Sequence, residues 1–355
     1  MNFSYKFPVV KGVQAGKNYF IAMVPLKMIE RLFPKGDEFV LPEYRAQRKL
    51  NEARIPEIRD YILNNRDSYV FSALAASIDG EYSFMQNDQS TTGILEVSMD
   101  ARFLINDGQH RMAAILEAIK EAPELGNETI SVVFYEDLGL KRSQQMFTDL
   151  NKHAVKTSNS IAELYDSRDT LAVATRDMVL KVPFLNEYVD KEKDILGKFS
   201  SSLFTLNTFY TANKRILKRK KCDDNFKQFI IKYWTSISLH MIPWRELEKK
   251  ELSKIELREQ YIASQAVTIQ AFGRVGASLF EYKNIELEKI LIKIEKVNWR
   301  RNANDWQGRV IRNDGKLLTN NEAIILMANY LKQQVGLDLT DEELYSETKF
   351  IKGRR

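Results

Sequence analysis

Two hydrophobic rhythms divide this chain. Up to about residue 140 the apolar positions come in short runs bounded by Gly, Pro and Asp. Beyond about residue 160 they recur at three- and four-residue spacing over long stretches. In the first part, Phe7-Pro8-Val9-Val10 and Tyr19-Phe20-Ile21-Ala22-Met23-Val24 read as strands around a turn region from Lys11-Gly12 to Gly16-Lys17, and Pro25 stops the second. Leu26 to Phe33 fits a short helix closed by Pro34-Lys35-Gly36. This opening segment reads as a sheet edge or an N-terminal lid. Tyr69 to Ile78 fits a buried strand followed by an Asp79-Gly80 turn, Ile94 to Met99 alternates as a strand should, and Ile130 to Tyr135 adds another.

The most informative stretch is Arg102 to Lys120. Phe103, Leu104 and Ile105 suit a buried strand; Asn106, Asp107 and Gly108 break it; from Gln109 the pattern is helical, with Met112, Ile115, Leu116 and Ile119 at helical spacing. Asp107 is the expected N-cap. Gln109, His110 and Arg111 then fall in the first helical turn, where free N–H groups and the positive end of the helix dipole favour an anion. The competing reading is structural, with Asp107 capping the helix and Arg111 pairing with it. The motif is not a P-loop, because no Gly-Lys-Ser/Thr follows.

Arg45 to Asn65 reads as a basic helical stretch carrying Arg45, Arg48, Lys49, Arg54 and Arg59. Pro56 either divides it or sits at a helix start, and most of its arginines read as a solvated face. Lys141 to Asn151 is helical in pattern, with Asp149, Asn151, Lys152 and His153 clustered at its end. From Ser160 the helix candidates are Ile161–Leu164, Leu171–Val182, Leu203–Leu217, Phe226–Leu239, Tyr261–Leu279, Leu287–Ile294 and a last helix Ala323–Val335. Glu246 to Glu259 reads as an exposed helix of mixed charge, and Lys349 to Arg355 as a frayed basic tail.

Composition narrows the function class. The chain has 355 residues, 44% hydrophobic and 28% charged, with a net charge of +5. That is ordinary for a globular protein and permits a nucleic-acid partner without demanding one, so the placement of charge matters more than the sum. Cys222 is the only cysteine and there are three His, which leaves no disulfide and no cysteine cluster for a metal. The N-terminus has no signal-peptide pattern, and no apolar run approaches the roughly 18 residues of a membrane span, so cytoplasm is the expected location and no membrane partner is expected. Lys214-Arg215-Ile216-Leu217-Lys218-Arg219-Lys220-Lys221 holds six basic residues and no acid. Lys296 to Arg312 interleaves Arg300, Arg301 and Arg309 with Trp299 and Trp306. Both tracts suit DNA-backbone contact; the alternatives are a solvated helix end and core tryptophans. No helix-turn-helix with a polar recognition face is evident. No Ser/His/Asp spacing, paired-carboxylate motif or metal-ligand cluster stands out, so no catalytic residue is assigned.

The hexapeptide Asn106-Asp107-Gly108-Gln109-His110-Arg111 resembles the signature of the DGQHR-domain proteins, and within them the DndB family, encoded beside DNA phosphorothioation enzymes. Two further blocks agree: Gln145 to Ala154 with Tyr165-Asp166-Ser167-Arg168-Asp169, and Trp299-Arg300-Arg301 with Trp306-Gln307-Gly308-Arg309. More distantly, the junction is similar to the nucleotide-binding box of ParB and sulfiredoxin proteins. The resemblance implies an α+β chain with a ParB/sulfiredoxin-like mixed sheet and helices over residues 1–158, and a mainly helical domain with basic DNA-contacting tracts over 159–355. It implies that Arg48, Asn151 and His153 neighbour Asp107, Gly108, Gln109, His110 and Arg111. It also implies a repressor of the phosphorothioation operon that contacts promoter DNA through Lys214, Arg215, Lys218, Arg219, Lys220, Lys221, Arg300, Arg301 and Arg309, with other phosphorothioation proteins as further partners. A regulator of palindromic sites would be a homodimer. The alternative is a nucleotide triphosphate hydrolase or switch that binds ATP with magnesium at the Gly108 junction. It would require a second acid beside Asp107, for which Glu136, Asp137 and Asp149 are the candidates.

Overall fold

The computed structural model describes residues 3–33, 51–136, Gln145, Asp149, 157–282 and 286–353. The chain divides into two compact units, Met1–Val155 and Lys156–Arg355. It is α+β, with a seven-stranded sheet in the first unit and, in the second, most of the helix and a short parallel pair, Val189–Asp190 with Phe204–Thr205.

The first unit is built on a seven-stranded mixed sheet. Its strands are β1 (Ser4–Gln14), β2 (Lys17–Pro25), β3 (Leu74–Asp79), β4 (Tyr82–Gln86), β5 (Thr92–Ser98), β6 (Arg102–Asp107) and β7 (Thr129–Glu136). They lie in the order β4-β5-β1-β2-β7-β3-β6, and only β3 and β7 pair in parallel. The opening hairpin is therefore central to the sheet, not an edge or a lid, and its turn is Ala15-Gly16. Alternation explains the placement: Phe7, Val9, Phe20, Ala22 and Val24 all point into one core. Helices α1 (Ile29–Leu32), α2 (Ile55–Asn64) and α3 (Gln109–Glu121) contribute Ile29, Leu32, Ile62, Ile115 and Ala118 to that core. Pro56 sits in the first turn of α2, where its missing N–H costs nothing.

The second unit packs helices α4 (Asn159–Tyr165), α5 (Thr170–Lys181), α6 (Pro183–Tyr188), α7 (Leu206–Leu217), α8 (Asp224–His240), α9 (Ile242–Glu248), α10 (Lys254–Gln260), α11 (Ala266–Leu279), α12 (Leu287–Leu291), α13 (Asn321–Val335) and α14 (Asp341–Gly353). The buried helix α11 is its axis. At Gly273 an added Cβ would lie 2.8 Å from the Ala212 carbonyl oxygen, so glycine lets α7 cross there at close range. Indole and phenol groups buried around this crossing find partners: Trp234 Nε1 donates to Asn213 Oδ1 at 2.9 Å and Tyr233 Oη donates to the Phe272 carbonyl at 2.7 Å.

Three expectations fail here. The mixed-charge stretch Glu246–Glu259 is two helices, α9 and α10, broken where a capping box at Ser253 and Glu256 starts the second. Leu203 to Thr205 and Tyr261 to Gln265 precede their helices. Ala323–Val335 is not the last helix, and what reads as a frayed tail begins inside α14. That helix is fixed by buried charge. Glu343 accepts from Lys332 Nζ at 2.7 Å and from Arg274 Nη2 at 3.1 Å, and Glu347 is held by the guanidinium of Arg309, whose Nη1 lies 2.8 Å from Oε2.

Removing one partner of such a pair strands a charge in a poorly solvated place. Arg309→Met is expected to lower the stability of the second unit by roughly 3–5 kcal/mol, as a shift in the urea midpoint at unchanged slope.

Candidate functional sites: a strand–helix junction and a basic surface

The sheet places the signature through a β-bulge. Ala75 pairs with Asp107 and Ala76 with Ile105, which leaves Asn106 as the extra residue of β6. Asn106 is buried, and its Nδ2 donates to Ser77 Oγ at 2.6 Å. Gly108 follows at φ +100°, and it, not Asp107, occupies the N-cap position of α3. Only glycine fits: the left-handed conformation disfavours any side chain, and a Cβ would lie 2.4 Å from Leu74 Cδ2.

Arg111 is engaged within the fold through both terminal nitrogens of its guanidinium. Its Nη2 lies 2.6 Å from Asp107 Oδ2, and its Nη1 donates to the Ser72 carbonyl at 2.5 Å, to Ser72 Oγ at 2.6 Å and to the Ala73 carbonyl at 2.8 Å. One guanidinium thus ties the first turn of α3 to the end of β6 and the approach to β3. The structural pairing of Arg111 with Asp107 is what forms, while the capping role expected of Asp107 does not. His110 Nε2 accepts from the backbone N–H of Asn51 at 3.2 Å, and Gln109 is half-buried at the helix start. Arg48, Asn151 and His153, together with Asp137, lie outside the described residues. Of the second block, Gln145 Nε2 donates to Asp149 Oδ1 at 2.6 Å. Among the described residues no group of three or more His, Cys, Asp and Glu could hold a metal ion, and no helix is long and apolar enough to cross a membrane.

The Tyr165–Asp169 block is helix-linking structure. Asp166 Oδ1 accepts from the backbone N–H groups of Arg168 and Asp169, and Asp169 caps α5 while accepting from Tyr210 Oη at 2.6 Å. Beside it, burial and then the nearby carboxylates of Asp194 and Asp169 push the Glu163 carboxyl up to about 7.

The basic tract of the second unit is only partly available. Arg215 is half-buried with Nε donating to Gln270 Oε1 at 2.8 Å, Lys218 pairs with Glu281 at 2.7 Å, and Lys220 lies 5.0 Å from the centre of the Phe280 ring. Lys214, Arg219 and Lys221 are exposed and form no ion pair with a described residue. In the second tract both tryptophans are core, stacked at 5.8 Å. Arg309 is buried against Glu347 and the Phe350 ring, so its expected DNA contact is overturned. Arg300 is exposed and stacks over Tyr261 at 5.2 Å; Arg301 is half-buried, with Nη2 donating to the Gly315 carbonyl at 3.0 Å. Both line an open groove that sequence reading missed, because Gln260 and Arg312 are brought to it from either side of Arg300 and Arg301 by backbone pairing. Cys222 is half-buried with Sγ 3.5 Å from the Thr170 carbonyl oxygen, and burial pushes its thiol up, against the thiolate that neighbouring lysines would favour.

Two outcomes follow. Gly108→Ala is expected to cost about 2–4 kcal/mol in a denaturant titration, from backbone strain plus the clash with Leu74. The folded Glu163 carboxyl keeps its proton to higher pH than an unfolded one. Its contribution is therefore present below the ordinary value of 4.5 and lost as pH rises toward about 7. Glu163→Gln should flatten that decline by roughly 1 kcal/mol after allowance for solvent screening, read from melting curves across this pH range.

Comparison with curated proteins and with solved structures gives no match. The family model for DndB, described as DNA-sulfur modification-associated, matches residues 7–338. With a signature folded as a bulge, a left-handed glycine and an arginine clasp, and a family match over nearly its whole length, this chain belongs to the DndB family of DNA-sulfur modification-associated proteins.

Proposed function

We propose that this protein binds double-stranded DNA and acts as a repressor of a DNA sulfur modification gene cluster at its promoter. The observation that carries the reading is the fate of the cations in the second unit. Arg219 and Lys221 stand beyond the end of α7, and Arg300 and Arg301 at the groove, in no ion pair with a described carboxylate, while Lys214 in the last turn of α7 is exposed and feels the charge of Glu163. Unneutralised surface cations of this kind attract a phosphate backbone and release its counterions. The family's tie to DNA sulfur modification gives that surface a DNA context.

The nucleotide hydrolase or switch at Gly108 is the weaker reading. The guanidinium that would hold phosphate oxygens already meets one carboxylate and two carbonyls. A phosphate there would have to displace them.

The test is a gel shift with the DNA upstream of the protein's own gene cluster, over a range of salt. Wild type is expected to prefer that fragment over unrelated DNA, with ATP and magnesium making no difference. Replacing Lys214, Arg219 and Lys221 together by Gln should weaken all duplexes alike and lower the salt slope by roughly one for each phosphate no longer neutralised. Absence of any duplex binding at low salt would sink the proposal. Binding that appears only with ATP and magnesium, and loses that response in Arg111→Ala, would put the switch in its place.

A further inference from the structure

The groove beside Tyr261 offers more than positive charge. Its volume is about 480 Å3, within the range of pockets that enclose small organic ligands. Its walls are fixed by main-chain bonds. Arg301 N–H donates to the Gln260 carbonyl at 2.7 Å, Ile262 N–H donates to the Trp299 carbonyl at 3.0 Å, and Arg312 N–H donates to the Lys316 carbonyl at 2.9 Å. Behind them Trp306 Nε1 donates to the Asn298 carbonyl at 2.6 Å, so the loop that carries the groove is anchored by a buried indole. Gly315, at φ +77°, closes the turn on which Arg301 rests.

The lining sorts by chemistry. Arg300, Arg301 and Arg312 supply three guanidiniums, and Glu259 is the one carboxylate among the lining residues. That carboxylate is already met by Lys198 Nζ at 2.9 Å, so it does not cancel the arginines. Arg312 is held only loosely, with Nε 3.7 Å from Asp314 Oδ1 and both side chains about half exposed. The amides of Gln260, Asn302 and Asn313 also line the groove and make no side-chain hydrogen bond to a described residue, while Ile311 gives an apolar wall. Guanidiniums match phosphate oxygens. Carboxamides carry both donors and acceptors and match the edge of a nucleobase. A lone inorganic phosphate would leave the amides and most of the volume unused.

We propose that this groove binds a single nucleotide unit, with its phosphate on Arg300, Arg301 and Arg312 and its base read by the amides of Gln260, Asn302 and Asn313. This deepens the DNA-binding reading and rests on it only for the source of the nucleotide, which is either a free mononucleotide or an unpaired nucleotide of single-stranded DNA.

The full chain is titrated calorimetrically with inorganic phosphate, with each of the four deoxynucleoside 5′-monophosphates and with a short single-stranded oligodeoxynucleotide. At least one mononucleotide is expected to bind roughly tenfold more tightly than phosphate. Arg300→Gln should weaken phosphate and nucleotide together by roughly tenfold, the worth of one charge-assisted hydrogen bond. Asn302→Ala combined with Asn313→Ala should erase the preference of nucleotide over phosphate. All these changes lie on exposed side chains, and a circular-dichroism melt checks that each variant is folded. An oligonucleotide that displaces the mononucleotide and binds more tightly assigns the site to DNA; one that fails to displace it assigns the site to a free nucleotide. Either supports the groove. Equal affinity for phosphate and every mononucleotide, or variants that bind as wild type does, overturns it. The duplex gel shift is scored separately: duplex binding without nucleotide preference removes this proposal alone, and nucleotide preference without duplex binding removes the repressor reading alone.

Discussion

A guanidinium has five donors and one charge, and where Arg111 spends them decides what its junction can be. The β-bulge at Asn106 shifts the register of β6, and Gly108 turns the chain into α3 in a conformation no other residue adopts without strain. What holds the turn closed is Arg111, which meets Asp107 on one side and the carbonyls of Ser72 and Ala73 on the other. Those carbonyls lie just before β3, whose parallel pairing with β7 joins this edge of the sheet to its centre. The polar signature thus serves the fold first. A helix start rich in Gln, His and Arg looks like an anion site, but here the arginine is taken up by carbonyl and carboxylate groups of the fold itself.

The same accounting separates the cations of the second unit. Arg309 and Lys332 are consumed by Glu347 and Glu343, Arg215 by Gln270, and Lys218 by Glu281. Burying the Arg309–Glu347 and Lys332–Glu343 pairs costs desolvation, and their worth lies less in net stability than in fixing α14 in one place. Arg274 and Lys332, on α11 and α13, converge on a single carboxylate, so Glu343 couples three helices. Other exposed lysines, Lys181, Lys232 and Lys249 among them, lie scattered over the unit; at the end of α7 and around the groove the exposed cations stand close together in sequence.

Much of the fold is legible in the sequence, because alternation and helical spacing report burial directly. Phe7, Val9, Phe20, Val24, Phe103 and Ile105 mark their strands, and the Ile115–Ala118 face marks α3. The failures lie where apolar periodicity is absent or too short to read. Helix α14 turns its buried face with Glu343 and Glu347, four residues apart, so a search for apolar periodicity finds only a tail. Strand β4 is an edge with no β-branched residue, and α6 and α9 are pieces of about two turns or less with Pro183 and Pro243 in their first turns. The hexapeptide announced a special junction, but not that Arg111 would be spent on Ser72 and Ala73, some forty positions earlier in the chain. For Arg309 the error was of the same kind: an arginine beside two tryptophans has the composition of a nucleic-acid surface and the burial of a core ion pair.

Which arginines of the Trp299–Arg312 block stay at the surface is itself set by the indoles. Trp299 and Trp306 stack at 5.8 Å inside the unit, and the backbone that carries them must reverse between. That reversal throws Arg300 and Asn302 outward and, a few residues on, Arg309 inward, where Tyr330 and Phe350 receive its guanidinium. The core and the basic surface are consequently not separable designs. The chain around the two indoles alternates between inside and outside: Ala303, Arg309, Val310 and Ile311 are buried, while Arg300, Asn302, Arg312 and Asn313 are left at the surface, where they line the groove.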